Sequence, residues 1–281
     1  MQLKEKSPAA CALTVWRDRI YLSWTGTDGK LNLASSPDGR DFAHTQRLPH
    51  RSYSYDNSSM GDSFSNLVIT PPAIVGTAQR LYLAWTGSNA APNLLVADAP
   101  AHSAPVVLPQ RSHCSPAVSV SGHGAPVLAW TGTDRRVNVL TLSDQRSAAP
   151  LRLQQARSVV APALCSHQDG LVLAWTGTDR RVNLLTLSDQ RSDHLRLEEA
   201  KSTCAPALCS HQGGLVLAWT GTDRRVNLLT VTGDRSTPPL RLEEARSGFA
   251  PTVCGHRGDL VIAWTGTDAR LNLARLPAAA T

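Results

Sequence analysis

The chain is poor in the residues that usually build an aromatic core, with three Phe, four Tyr and two Met among 281 residues. Lysine is scarce too: 24 of the 28 basic residues are arginine. No apolar run approaches the roughly eighteen residues of a membrane-crossing helix. No stretch keeps a helical apolar period for ten residues, which excludes a helical bundle. There is no Gly-rich phosphate loop after a strand and no dense His/Asp cluster, so no cofactor or metal is expected. Basic residues are not interleaved with aromatics, so nucleic acid is not an expected partner. The segment Met1–Trp16 carries charges but lacks an apolar stretch long enough for a signal-peptide core. The expected location is therefore cytoplasmic, or outside by a route without a cleavable signal. With that location, the six Cys are expected as free thiols.

Against this scarcity, seven Trp stand out. Six share one motif: Trp24-Thr-Gly-Thr-Asp28, Trp85-Thr-Gly-Ser-Asn89, Trp130-Thr-Gly-Thr-Asp134, and the first form again at Trp175, Trp219 and Trp264. Their spacings of 61, 45, 45, 44 and 45 residues are a propeller or solenoid period. Each unit reads as four strands, short apolar runs bounded by Gly, Asp, Asn and Pro. In the fifth unit these are Ala207 to His211, Leu215 to Trp219, Arg225 to Val231 and Leu240 to Ala245.

A basic residue followed by Ser ends each fourth strand, at Arg51-Ser52, Arg111-Ser112, Arg157-Ser158, Lys201-Ser202 and Arg246-Ser247. A sixth copy, Lys6-Ser7, lies at the N-terminus, while the last unit stops after a third strand at Leu271 to Leu276. Residues 2–6 should therefore complete the last unit. The expectation is one all-β domain over residues 1–281: a six-bladed β-propeller of four-stranded antiparallel blades, closed by the N-terminal strand.

The Trp-Thr-Gly-Thr-Asp unit, with Leu31-Asn-Leu33 and Ser36-Pro-Asp-Gly-Arg-Asp-Phe42 after it, resembles the Asp-box (BNR) propellers related to sialidases. More loosely it resembles the tandem-repeat propeller lectins of bacteria. The box is clear only in the first blade and decays to Leu142-Ser-Asp-Gln-Arg146 and its later copies. In that family the box is a folding turn, so the resemblance implies fold and not activity. Sialidase chemistry would require an Arg triad, an Asp acid and a Tyr–Glu nucleophile pair whose Tyr comes from a late blade. Here Tyr21, Tyr53, Tyr55 and Tyr82 all precede the third blade.

Each repeated Trp is expected to wedge against the next blade as core. Asn32, Asn93, Asn138, Asn183, Asn227 and Asn272 should satisfy backbone or hydroxyl groups across the hairpins. The pairs Cys165/His167, Cys209/His211 and Cys254/His256 recur once per blade, which scatters them around the ring instead of converging on zinc. Cys11 reads as the same repeat position without its His.

Two features remain for function. Arg135, Arg180 and Arg224 open Arg pairs in the turn between second and third strands of three successive blades, suited to an anionic ligand. Neighbouring Asp134, Asp179 and Asp223 could instead neutralise them. The second feature is a lengthened connector, residues 53–70, holding Tyr53, Tyr55, Asp56, Asn57 and Asp62 on the same face. Long connectors in compact repeats carry function or mobility, and aromatics beside Asp and Asn suit sugars. The leading expectation is a non-catalytic, lectin-like module for a glycan or other polar or anionic ligand, acting as a monomer or weak homo-oligomer. No catalytic residue is assigned. An enzyme of glycosidase, lyase or cyclase type near residues 53–70 is the first alternative, and a protein-interaction scaffold is the second.

Overall fold

The computed structural model describes residues 1–55, 67–98, 104–143, 146–147, 149–168, 170–187, 194–233 and 235–277. Six four-stranded antiparallel blades form the fold, with no helix among the described residues. Blade 1 is Cys11–Trp16, Arg19–Thr25, Lys30–Ser36 and Ala43–Arg51. Blade 5 is Ala207–His211, Gly214–Thr220, Arg225–Thr232 and Leu240–Arg246. Each innermost strand packs on those of its two neighbours, and blade 6 meets blade 1.

The ring closes as the repeat arithmetic requires. Gln2–Lys6 pairs antiparallel with Arg270–Leu276, and Ser7 N–H donates to Ala269 O at 2.9 Å. The Met1 amino group adds a bond to Leu273 O at 2.8 Å.

The motif residues have separable tasks. In blade 3, Gly132 N–H donates to Arg136 O and Asn138 Nδ2 donates to the same carbonyl, tying off the hairpin. A Cβ on Gly132 would lie 2.9 Å from both Asn138 Nδ2 and Asp134 Oδ1, so glycine is required for this close approach. All six repeat asparagines make the same bond to the carbonyl two residues earlier. The motif Thr donates to a carbonyl in the connector leaving its own blade, as Thr131 does to Val160 O at 2.7 Å. The connector Ser is fully buried in every copy. At Ser7, Ser112 and Ser202 it donates forward, to the motif Thr carbonyl of the following blade.

Each of the six Trp is between 1 and 9% exposed and belongs to one inter-blade cluster. Trp219 packs with Val172, Ala174 and Leu184 of blade 4, and Trp24 with Val261, Ala263 and Leu273 of blade 6. The wedge therefore points at the preceding blade, not the next one: this face of the second strand meets the third-strand and second-strand residues behind it in the ring. Histidine supplements the scarce aromatics: His50 stacks on Trp85 at 5.0 Å and His194 on Trp175 at 5.4 Å.

Strand pairing corrects one equivalence. Cys11 pairs with Trp24, whereas Cys165 pairs with Val172, three residues before Trp175. Cys11 therefore matches Pro162, Pro206 and Pro251, the residues just before the inner strands of blades 4, 5 and 6. Trp16, left without a role by the sequence, closes its hairpin opposite Arg19 as His167 does opposite Gly170. It is the counterpart of His167, His211 and His256.

Candidate ligand-binding face

The turns between second and third strands and the blade-to-blade connectors share one end of the ring. Backbone bonds fix this: Ser158 N–H donates to Arg135 O, Ser202 to Arg180 O and Ser247 to Arg224 O. At this turn position φ is +64°, +66° and +64° in Arg135, Arg180 and Arg224. The other blades place Gly29, Ala90 and Ala269 there, also at positive φ. A left-handed backbone disfavours any side chain by about 1 kcal/mol, yet three successive blades carry the longest one available.

The neighbouring acids do not neutralise these arginines. Asp134 pairs with Arg136 at 3.7 Å and with Arg152 of the outer strand. Asp179 takes Arg181 and Arg196, and Asp223 takes Arg225 and Arg241 at 3.5 and 2.7 Å. Glu198 and Glu243 complete four-membered charge networks in blades 4 and 5. Partial burial opposes ionisation of Asp134 and Asp223, but backbone amides and guanidinium groups outweigh it and hold both carboxyls below their ordinary value. Arg135, Arg180 and Arg224 stay exposed and without an ion pair among the described residues.

The lengthened connector forms a hairpin in which Tyr53–Tyr55 pairs with Leu67–Ile69. Its base is fixed by a 2.9 Å bond between the Ser52 and Thr70 hydroxyls and by Thr25 Oγ1 donating to Thr70 O at 2.7 Å. Tyr53 leans over the blade 1 turn: its hydroxyl donates to Asp28 O at 3.2 Å, and a Cβ on Gly29 would collide with the ring. Tyr55 lies on the same short strand, while Asp56, Asn57 and Asp62 fall outside the described residues. The candidates therefore divide. Tyr53 stands at blade 1 and the arginines at blades 3 to 5, around the other side of the ring.

On the axis at this end lies a cavity of about 140 Å³, rimmed by Ala10, Pro72, Pro116, Pro162, Pro206 and Pro251. Its lining contains no carboxylate, histidine or arginine, so it supplies no acid–base pair. The cysteines are free, and burial pushes Cys11, Cys114 and Cys254 up to about 12 and Cys165 to about 11. Such thiols are protonated and inert near neutrality. Among the described residues no three His, Cys, Asp or Glu converge as a metal site.

No family model and no curated protein matches the chain. Solved structures do. The Aleuria aurantia lectin, as a variant in complex with Fucα1-6GlcNAc, is 10% identical with a TM-score of 0.61, over 100% of this chain and 98% of that one. A lectin from Burkholderia pseudomallei is 13% identical with a TM-score of 0.66, over 94% and 79%. Trypanosoma rangeli sialidase is 12% identical with a TM-score of 0.63, over 96% of this chain but 54% of its own. At such identities the likeness concerns architecture: the chain is a six-bladed β-propeller of the fold shared by sialidases and propeller lectins.

Proposed function

We propose that this propeller is a non-catalytic glycan-binding module whose ligand contacts the connector face. The observation that carries the reading is the unpaired guanidinium presented by the same turn in blades 3, 4 and 5, where Gly or Ala serves in the other blades. Arginine at such a rim binds carboxylate, sulfate or hydroxyl-rich ligands through its planar fork, and three equivalent copies raise avidity for a repeating ligand. The lectins among the structural neighbours support this choice. Tyr53, over the blade 1 turn on the same face, would form a second, non-repeated contact, and the sequence alone adds Tyr55, Asp56, Asn57 and Asp62 as candidates beside it.

A glycan array with the whole chain, followed by calorimetry on the hits, tests the reading. The expected result is binding to polar or acidic glycans that weakens at least tenfold in the Arg135→Gly/Arg180→Gly/Arg224→Gly variant. A blank array, or a hit untouched by that variant, would sink it.

A further inference from the structure

The opposite end of the ring, where first and second strands turn, contains a departure from the repeat. In four blades the residue closing this hairpin reaches the following blade. His167 Nδ1 lies 2.9 Å from Ser210 Oγ, and His211 covers Gly255, where a Cβ would sit 2.5 Å from its Nδ1. His256 Nε2 lies 3.3 Å from Asp18 O, and Trp16 covers Gly76, where a Cβ would sit 2.8 Å from the Trp16 Cβ. These four side chains plug the clefts from blade 4 round to blade 2.

Blade 2 has Thr77 at this position, eight residues before Trp85 as His167 is before Trp175. Its hydroxyl folds back onto its own turn, donating to Arg80 O at 3.1 Å and accepting from the Gln79 and Arg80 amides. It makes no bond to blade 3. In blade 3, Ser121 also accepts from its own turn, but there Ser119 and Val120 are tied directly to Ser166 of blade 4. At this end of the ring, only the junction of blades 2 and 3 thus has neither a plug nor a tie among the described residues. A cleft of about 290 Å³ lies there, lined by Thr77, Gln79, Arg80, Tyr82, His123 and Gly124.

The lining is chemically mixed. Tyr82 is half-buried, packed against the blade 2–3 core. Arg80 is exposed and lies 3.9 Å from Asp98, whose other oxygen accepts the Leu81 amide at 2.9 Å. Gln79 and His123 add exposed donors and acceptors at the margin. We propose that this cleft is a single binding site for a small ring-bearing carboxylate, with the ring on Tyr82, the carboxylate on Arg80, and hydroxyls met by Gln79 and His123. The volume is enough for one six-membered ring with its substituents. A guanidinium with one weak partner among the described residues is available for a bidentate carboxylate, and an aromatic face beside it suits the apolar face of a ring. The site goes beyond the glycan reading above, because it lies on the other end of the ring and shares no residue with it.

Ligand-observed NMR and calorimetry with glucuronate, glucose and acetate test this directly, since only glucuronate has both ring and carboxylate. Glucuronate should bind one to one in the Arg135→Gly/Arg180→Gly/Arg224→Gly background, where the connector-face guanidinium groups are absent, and the variants below are made in it. Glucose and acetate should each bind at least tenfold more weakly. Arg80→Ala and Tyr82→Ala should each weaken glucuronate at least tenfold. Thr77→His, which gives blade 2 the plug of blades 4 to 6, should abolish binding while keeping Tm within a few degrees. Because that background lacks the connector-face arginines, failure of the connector-face reading leaves this one standing. Equal binding of glucose, retained affinity in Thr77→His, or no binding of any of the three probes would overturn the proposal.

Discussion

Blades 5 and 2 are built on one backbone and differ almost everywhere else. Both keep the wedge (Trp219, Trp85), the latch to the departing connector (Thr220 to Phe249 O at 2.6 Å, Thr86 to Cys114 O at 2.7 Å) and the hairpin Asn (Asn227, Asn93). Blade 5 adds a plug at His211, an unpaired Arg224, a charge network on Asp223 and a seven-residue outer strand. Blade 2 has Thr77, Ala90 and Asn89 at these places, and its outer strand is only Val106–Val107. The shared residues are those whose backbone neighbours are buried and must be satisfied. The divergent ones face solvent or a cleft, where the ring tolerates change and where specificity can reside.

That division can be tested blade against blade. The largest effects should come from Trp219→Ala and Trp85→Ala, each lowering stability by about 3–5 kcal/mol in urea denaturation, because each empties an inter-blade core. A clear difference between them would show that the wedge is not equivalent around the ring. Next, Thr220→Val and Thr86→Val should each cost about 0.5–1.5 kcal/mol by removing one of the two hydroxyl donors to a connector carbonyl, Ser247 and Ser112 supplying the other.

Replacing Arg241 by Ala, with no counterpart in blade 2, should cost under about 1 kcal/mol, since the pairs it breaks are solvent-exposed. Arg224→Gly should slightly raise stability, by about 0.5 kcal/mol, as relief of the left-handed strain exceeds the extra entropy of the unfolded glycine. Glycan binding should fall at the same time, a pairing of effects that a purely structural Arg would not produce.

The smallest difference is a pH signature. The Asp223 carboxyl is held below its ordinary value of 3.8, so its contribution is complete above pH 3.8 and is lost as pH falls through the lower folded value. Asn89, at the matching position in blade 2, does not titrate. Asp223→Asn should therefore flatten the acid limb of a Tm–pH curve, whereas Asn89→Asp, which keeps the Ala91 amide but meets no Arg on the two-residue outer strand, should steepen it by less than Asp223 contributes.

The backbone of this molecule was legible because its repeat recurs six times. Trp spacing gave the blade count, and the Lys6-Ser7 copy revealed which sheet the first strand completes. The register of the inner hairpin was harder. Cys11 looked like its later namesakes until pairing with Trp24 placed it opposite a different residue. Counting back from the motif would have found this: Trp16 precedes Trp24 by eight residues, as His211 precedes Trp219. The direction of the wedge was not readable, because alternation along a strand names a face but not which neighbour that face meets. Nor did sequence reveal that Asp134, Asp179 and Asp223 neutralise the second Arg of each pair and spare the first. That choice depends on which side chain the turn folds back toward the outer strand.

The pairing of Gln2–Lys6 with Arg270–Leu276 also has a meaning in time. The bond between the Met1 amino group and Leu273 joins residues 272 positions apart, among the longest closures this chain can make. On a ribosome Gln2–Lys6 emerges long before its partner Arg270–Leu276, and its edge stays open until the sixth blade is made. Folding dominated by such distant contacts is slow. Gln2–Lys6 is therefore made long before it can be paired, and the ring becomes one cooperative object only once Arg270–Leu276 has joined it.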